Sequence, residues 1–166
     1  MPILHLAGKA SIRRRPVNSA LGPIEAILAM PAFQLLTRSG DTTPVEMTLV
    51  GPGLYRLDEE ATAFFALETD EECESCPVYG DTIRAIHLGS QALQYVELHQ
   101  RGNYVRSILG ISRKVSQTPA LGSFLRSIEA AGGYWEIQMK GMLYISLPPN
   151  SNIDPWLELG KLEDGA

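Results

Sequence analysis

From residue 45 onward, apolar side chains recur at every second position in short runs broken by glycine, proline and polar pairs, a pattern of half-buried strands. Residues 45–50 and 54–57 flank Gly51-Pro52-Gly53, and two β-rich runs around a three-residue link containing glycine predict a hairpin. Residues 63–67 fit a third strand or, given their acidic flanks, a helical turn. Residues 82–88, 92–99 and 104–111 predict three further strands. Turn formers separate them, Gly89-Ser90-Gln91 and Gln100-Arg101-Gly102-Asn103, so a meander is expected.

The period then lengthens. Leu121, Phe124, Leu125 and Ile128 fall at i, i+3, i+4 and i+7 and predict a helix with one apolar stripe. Thr118 can cap it through its hydroxyl, Pro119 suits the first helical position, and Gly132 can take the left-handed conformation that ends it. Residues 135–139 and 143–147 form a closing hairpin around Lys140-Gly141. A two-residue link would oppose Glu136 to Ile145 and Gln138 to Leu143. A three-residue offset opposes Met139 to Leu143, Ile137 to Ile145 and Trp135 to Leu147. Because a one-residue slip moves a strand's apolar set to the other face, the second register is expected, with an odd-length link or a bulge at Gly141. Pro148 and Pro149 end the strand, and Asn152 or Asp154 can cap a last helix carrying Ile153, Trp156, Leu157 and Leu159.

These elements predict an α+β protein: a small β-barrel-like sheet over residues 45–102, then a partial ferredoxin-like β-α-β-β-α unit over residues 103–166. Residues 1–44 read as a leader, poorly ordered or holding one short helix from Pro23 to Met30. Thr42-Thr43-Pro44 marks its end, since proline disfavours helix in the residue before it. Pro23, Glu25 and Pro31 interrupt the apolar stretch at 20–36 and argue against a secretory signal. No run approaches the roughly 20 apolar residues needed to cross a bilayer, so a cytoplasmic location without a membrane partner is expected.

The chain's 166 residues suit one domain or two small ones, and with 7% aromatic residues the interior must be mostly aliphatic. Its net charge of −5 is unevenly spread: residues 1–40 carry +4, residues 41–102 carry −9 and residues 103–166 are neutral. That balance argues against a nucleic-acid partner, whose binding site needs a dense basic surface. Tyr104 and Tyr144 could stack on RNA bases from a ferredoxin-like sheet, but the aromatic-rich strands of such surfaces are missing, and buried packing is the better reading. The acidic segment Glu68, Asp70, Glu71, Glu72 and Glu74 lacks the alternating ligands and central glycine of a calcium loop. As a solvated surface it can still steer a basic protein partner.

Cys73-Glu74-Ser75-Cys76 is the one recognisable reactive motif, and its spacing permits a disulfide, a metal grip or redox exchange. No second cysteine pair completes a zinc site, although His87 and His99, at strand ends, could meet to form a mixed one. The neighbouring carboxylates oppose a reactive thiolate by repulsion. Phosphate-cradling glycine loops, His-Glu-x-x-His and a glycine-flanked nucleophilic serine are all missing from the sequence. Ser107, His87 and Asp81 form no trio that sequence alone can bring together. No cofactor is expected.

Gly53-Leu54-Tyr55-Arg56-Leu57, then Tyr79-Gly80-Asp81-Thr82-Ile83, residues 121–133, Trp135-Glu136 and residues 143–148 resemble, in order, a bacterial family classed only as a domain of unknown function (DUF4265-like). The likeness covers about residues 45–164. The Gly-Asp pair opening a strand also resembles the turn of small cradle-loop barrels, which implies a barrel at residues 45–102. The family implies no established activity and no catalytic residues, and the cysteine pair is not part of its pattern. The expected role is a non-enzymatic binding or regulatory module that recognises a protein partner through its acidic surface. The rivals are a thiol-dependent redox or metal-binding protein centred on Cys73 and Cys76, and a small-ligand sensor with a cleft between the halves.

Overall fold

A computed structural model describes residues 32–70, 75–89, 92–138 and 141–165, and the chain divides into two compact units with a boundary between residues 104 and 105. Among the described residues it is a mixed α+β protein with a curled six-stranded sheet, a second, three-stranded sheet and four helices.

The first unit contains β1 (Phe33–Leu36), β2 (Thr42–Val45), β3 (Met47–Gly51), β4 (Leu54–Leu57), α1 (Thr62–Glu68), β5 (Thr82–His87) and β6 (Ala92–Gln100). Their order across the sheet is β2-β1-β6-β5-β4-β3. Among the described strands of this sheet, β1 and β6 alone run parallel and the other neighbouring pairs are antiparallel. The outermost strands, β2 and β3, are consecutive in the chain and separated by Glu46 alone. Two Cα–Cα steps span at most about 7.6 Å, so the sheet must curl until its edges share one stretch of backbone. Both backbone groups of Glu46 are held there: its amide donates to Glu59 Oε1 (3.2 Å) and its carbonyl accepts from the Asp58 amide (2.9 Å).

Two expectations change in this unit. Residues 33–36 and 42–44, expected in the leader, form β1 and, with Val45, β2; Leu35 is fully buried and Val45 nearly so. The pre-proline restriction that argues against helix at Thr43 favours extended backbone, and an edge strand such as β2 tolerates Pro44 because one side of it needs no ladder bond. The short helix expected from Pro23 to Met30 lies outside the described residues. The run at residues 63–67 is helical, the second of the two forms its pattern fits: Ala61, Phe64 and Phe65, at i, i+3 and i+4, are buried along with Thr62, whereas Leu67 is exposed. Phe65 packs edge-to-face on Phe64 and Tyr95 and joins Leu35, Met47, Leu57, Ile83 and Leu93 in the core of this unit. The expected meander ends at β6, because the next strand pairs elsewhere.

The second unit contains β7 (Val105–Gly110), α2 (Arg113–Ser116), α3 (Pro119–Ala130), β8 (Tyr134–Gln138), β9 (Met142–Leu147) and α4 (Pro155–Gly165). Its antiparallel sheet has the order β7-β9-β8, so the last strand lies between the other two. The predicted stripe of Leu121, Phe124, Leu125 and Ile128 is buried against Leu109, Trp135, Leu143, Ile145 and Leu147. Gly132 has φ +77° and ends α3 as expected. Thr118 does not cap through its side chain: its hydroxyl donates to the Val115 carbonyl (2.8 Å) at the end of α2, a short helix with no apolar period of its own.

Gln138 opposes Met142, leaving three residues between them, so the link is odd in length as expected. The pairs are displaced by two residues from those predicted: Trp135 opposes Ile145 and Ile137 opposes Leu143. Both registers keep the apolar sets together, and the conformation of Gly141 decides between them. A three-residue hairpin link puts its left-handed residue last, and Gly141, at φ +90°, fills that place. A Cβ there would lie 2.6 Å from the Ile111 carbonyl oxygen. In α4, Asp154 accepts from the Trp156 and Leu157 amides, making it the cap. Leu159 is buried, but Trp156 and Leu157 are exposed and do not belong to the packed face.

Candidate recognition loop

The acidic segment follows α1, and both of its flanks are anchored by arginines distant in sequence. On the upstream side, Arg38, in the turn between β1 and β2, donates its amide to Glu68 Oε2 (2.6 Å), its Nε to the Glu68 carbonyl (3.0 Å) and its NH2 group to Asp70 Oδ1 (2.5 Å). Asp70 remains 96% exposed, so the contact holds the backbone in place without removing the carboxylate from solvent. Of the expected site residues, Glu71, Glu72, Cys73 and Glu74 lie outside the described residues.

On the downstream side, Arg101 donates to the carbonyls of Ser75 (2.9 Å) and Cys76 (3.0 Å) and to Asp81 Oδ2 (2.7 Å). The Asp81 side chain is only 3% exposed and takes two further donors, the amides of Val78 (3.0 Å, on Oδ2) and Gly102 (2.7 Å, on Oδ1). One buried carboxylate thus ties residues 75–81 to the turn after β6. That turn and the loop touch backbone to backbone: a Cβ on Gly102 would come within 2.6 Å of Gly80. Gly80 has φ +85°, and Tyr104 covers the side where its Cβ would point. Only glycine meets both demands at Gly80. Cys76 is 1% exposed and belongs to the core of the first unit.

Beside this staple stands a small aromatic and polar group. The rings of Tyr79 and Tyr104 meet edge-to-face with centroids 5.3 Å apart. Tyr104 is 38% exposed, which corrects the expectation that it packs in the interior. Asp58 and Arg56 act electrostatically on Tyr79; Asp58 accepts from the Thr48 hydroxyl (2.5 Å) and pairs with Arg56 (3.3 Å). Burial, reinforced by the neighbouring Tyr104 hydroxyl and by Asp58, pushes the Tyr79 pKa up to about 12. A raised folded-state pKa means that the native protein holds this proton longer than the unfolded chain. The resulting stability is present below pH 10 and is lost as pH rises through about 12. Tyr79→Phe is therefore expected to lessen the fall in urea midpoint between pH 9 and 11.5, and an unchanged fall would place the titration elsewhere.

The structure does not bring the histidines together. His87 lies beside Leu93 at one end of the β5–β6 pair, whereas His99 is six residues further along β6, about 20 Å at 3.3 Å per residue. His87 Nδ1 instead accepts from the Gly89 amide (3.0 Å), and His99 Nδ1 lies 3.4 Å from Arg84. Among the described residues no group of three or more His, Cys, Asp or Glu is placed to hold a metal ion, and no helix is long and apolar enough to cross a membrane. Tyr104 and Tyr144 do not share a sheet, since Tyr144 belongs to β9 and has the Arg106 guanidinium 5.3 Å from its ring centre. On β8, the nearly fully buried Glu136 accepts from the Tyr134 hydroxyl (2.6 Å) and the Gln138 amide (3.0 Å).

The sequence reading missed both anchoring arginines. Arg38 falls within the stretch that reads as a leader, and Arg101 within one that reads as a turn. The Gly-Asp pair at Gly80-Asp81 was the single available signal, since a carboxylate between a turn glycine and a strand commonly binds nearby backbone amides. No protein-family model, curated protein or solved structure matches this chain.

Proposed function

We propose that this protein is a non-enzymatic binding or regulatory module whose acidic loop, Glu68 to Glu74, recognises a protein partner with a basic face. The observation that carries this reading is the double anchorage. Arg38 fixes the chain immediately before residues 71–74 and Arg101 fixes it immediately after, on a curled sheet. A charged segment held at both ends sacrifices less conformational freedom on binding than a free one, and clustered charge accelerates encounter. The burial of Cys76 supports treating that cysteine as packing. The β7-β9-β8 order, with helices between β7 and β8, supports reading the second unit as partly ferredoxin-like, and the shared edge at Glu46 supports a barrel-like first unit. A bacterial, cytoplasmic setting is part of the same proposal.

A fluorescent decalysine peptide serves as the basic probe. The triple change Glu71→Gln, Glu72→Gln and Glu74→Gln is expected to weaken its binding about tenfold at 50 mM salt, and the loss should shrink at 200 mM. The control triple change Glu97→Gln, Glu158→Gln and Asp164→Asn removes the same charge elsewhere and should cost less than about twofold. Equal losses would reduce the effect to net charge and overturn the reading.

A further inference from the structure

We infer that β7 is the edge through which this protein pairs with a second copy of itself, β7 against β7 and antiparallel, joining two three-stranded sheets into one of six. The inference goes beyond the acidic-loop reading and does not depend on it. Among the described residues, the order β7-β9-β8 leaves β7 and β8 as the edges of the smaller sheet. β8 buries Tyr134, Trp135 and Glu136 in succession, so both of its faces are covered there. β7 is more open: Val105 is 56% and Ile108 is 38% exposed, and the two lie on opposite faces of the strand. Its six successive pairs with β9, from Val105 with Leu147 to Gly110 with Met142, run without a bulge. A regular edge of this kind is a template for another strand unless charge, proline or a bulge blocks it. β7 contains neither proline nor lysine. Its one charged side chain does not guard the edge, because the Arg106 guanidinium is drawn inward over the Tyr144 ring of β9, 5.3 Å from its centre.

Symmetry and charge identify the occupant and its register. A two-fold axis across the strand direction makes two identical strands antiparallel, the sense in which β7 already pairs with β9. Residues 105–166 carry six basic and six acidic side chains, so two second units meet without net repulsion, whereas residues 41–102 carry −9. Opposed residues share a face of the sheet, so keeping both sets of helices on one side centres the pairing on a residue. Centred on Arg106, it would set like charges directly opposite each other, which destabilises a pair. Centred on Ile108, it would oppose Ser107 to Leu109, a core residue. Centred on Ser107, it opposes Val105 to Leu109 of the second copy and Arg106 to Ile108 of the second copy. That register extends the apolar layer packed against α3, to which Leu109 belongs, and keeps the two arginines apart.

Sedimentation equilibrium of the full chain, over a wide range of protein concentration, is the test. The mass should rise from that of one chain toward that of two. Ile108→Lys sets a second cation against Arg106 at two symmetric places and should weaken the dimer about tenfold or more. Ile108→Glu is equally polar but meets the same Arg106 with the opposite charge. It should hold the dimer within about twofold of the parent at low salt and weaken it as salt is raised. Ile86→Lys, at an exposed position on β5, makes the same change in net charge and should leave association as it is. Loss of the fold would act on the Lys and Glu variants of Ile108 alike, so their opposite responses separate strand pairing from misfolding. A single-chain mass at every concentration would overturn the inference. So would equal association of Ile108→Lys and Ile86→Lys, or equal loss in Ile108→Glu and Ile108→Lys.

Discussion

Asp81→Ala is expected to lower the stability of the folded chain by about 3 kcal/mol, a fall of roughly 6–12 °C in melting temperature for a protein of this size. The carboxylate is nearly inaccessible and accepts from two backbone amides and one guanidinium, so its removal strands the Val78 and Gly102 donors together. The full cost of breaking a buried ion pair does not apply, because Arg101 is 46% exposed and can turn to water. Arg101→Ala should accordingly cost less than Asp81→Ala, since it leaves both amides satisfied. Asp81→Asn should fall nearer to alanine, because its amide group would face donors with a donor of its own. Urea denaturation of the three variants checks the order, and an Arg101→Ala loss larger than that of Asp81→Ala would mean that the guanidinium, not the carboxylate, organises the loop.

Phe65→Ala is expected to cost more, about 3–5 kcal/mol. The side chain is fully buried and makes edge-to-face contacts with Phe64 at 5.3 Å and Tyr95 at 5.0 Å, joining α1 to β6. Its carbonyl also accepts from the amide and hydroxyl of Thr69, the residue between Glu68 and Asp70. Loss of the ring should therefore loosen the upstream anchor of the acidic loop as well as the core. Leu67→Ala, two residues away at 74% exposure, is the matched control and should stay within about 0.5 kcal/mol of the parent. Equal urea midpoints for the two variants would contradict the helical reading of this segment.

These residues also mark what could be read from the sequence. Elements whose signal is a local period came through: the stripe on α3, the β3–β4 hairpin, the β5–β6 pair and the faces of β8 and β9. The sequence leaves alternatives open, or misleads, where two local rules give different answers. Phe64 and Phe65 are adjacent, which fits neither simple alternation nor an obvious helix until Ala61 is counted as the third member of the face. Pro44 reads as a boundary on its own and as an edge strand only once Phe33 to Leu36 is known to lie beside it. Trp156 and Leu157 look like core by composition, yet α4 buries Pro155 and Leu159 and leaves both of them exposed. The candidate site was half legible. Its acids form a visible run, whereas Arg38 and Arg101 act across 30 and 20 positions on Glu68 and Asp81, and no short pattern records such a partnership.

Among the described residues, the sole parallel contact in the larger sheet joins Gln34 to Ala92 and Leu35 to Leu93. All its other strand pairs join neighbours along the chain, or segments separated only by α1 and its loop, so they close shorter loops at lower entropic cost. The ribbon of β1 and β2 therefore has the least local incentive to dock early, even though it completes the curl through Glu46. Arg38 rides on that ribbon. During synthesis or refolding, the negative charges would thus gain their upstream clamp only at the final stage of assembly, after the Asp81 staple has formed.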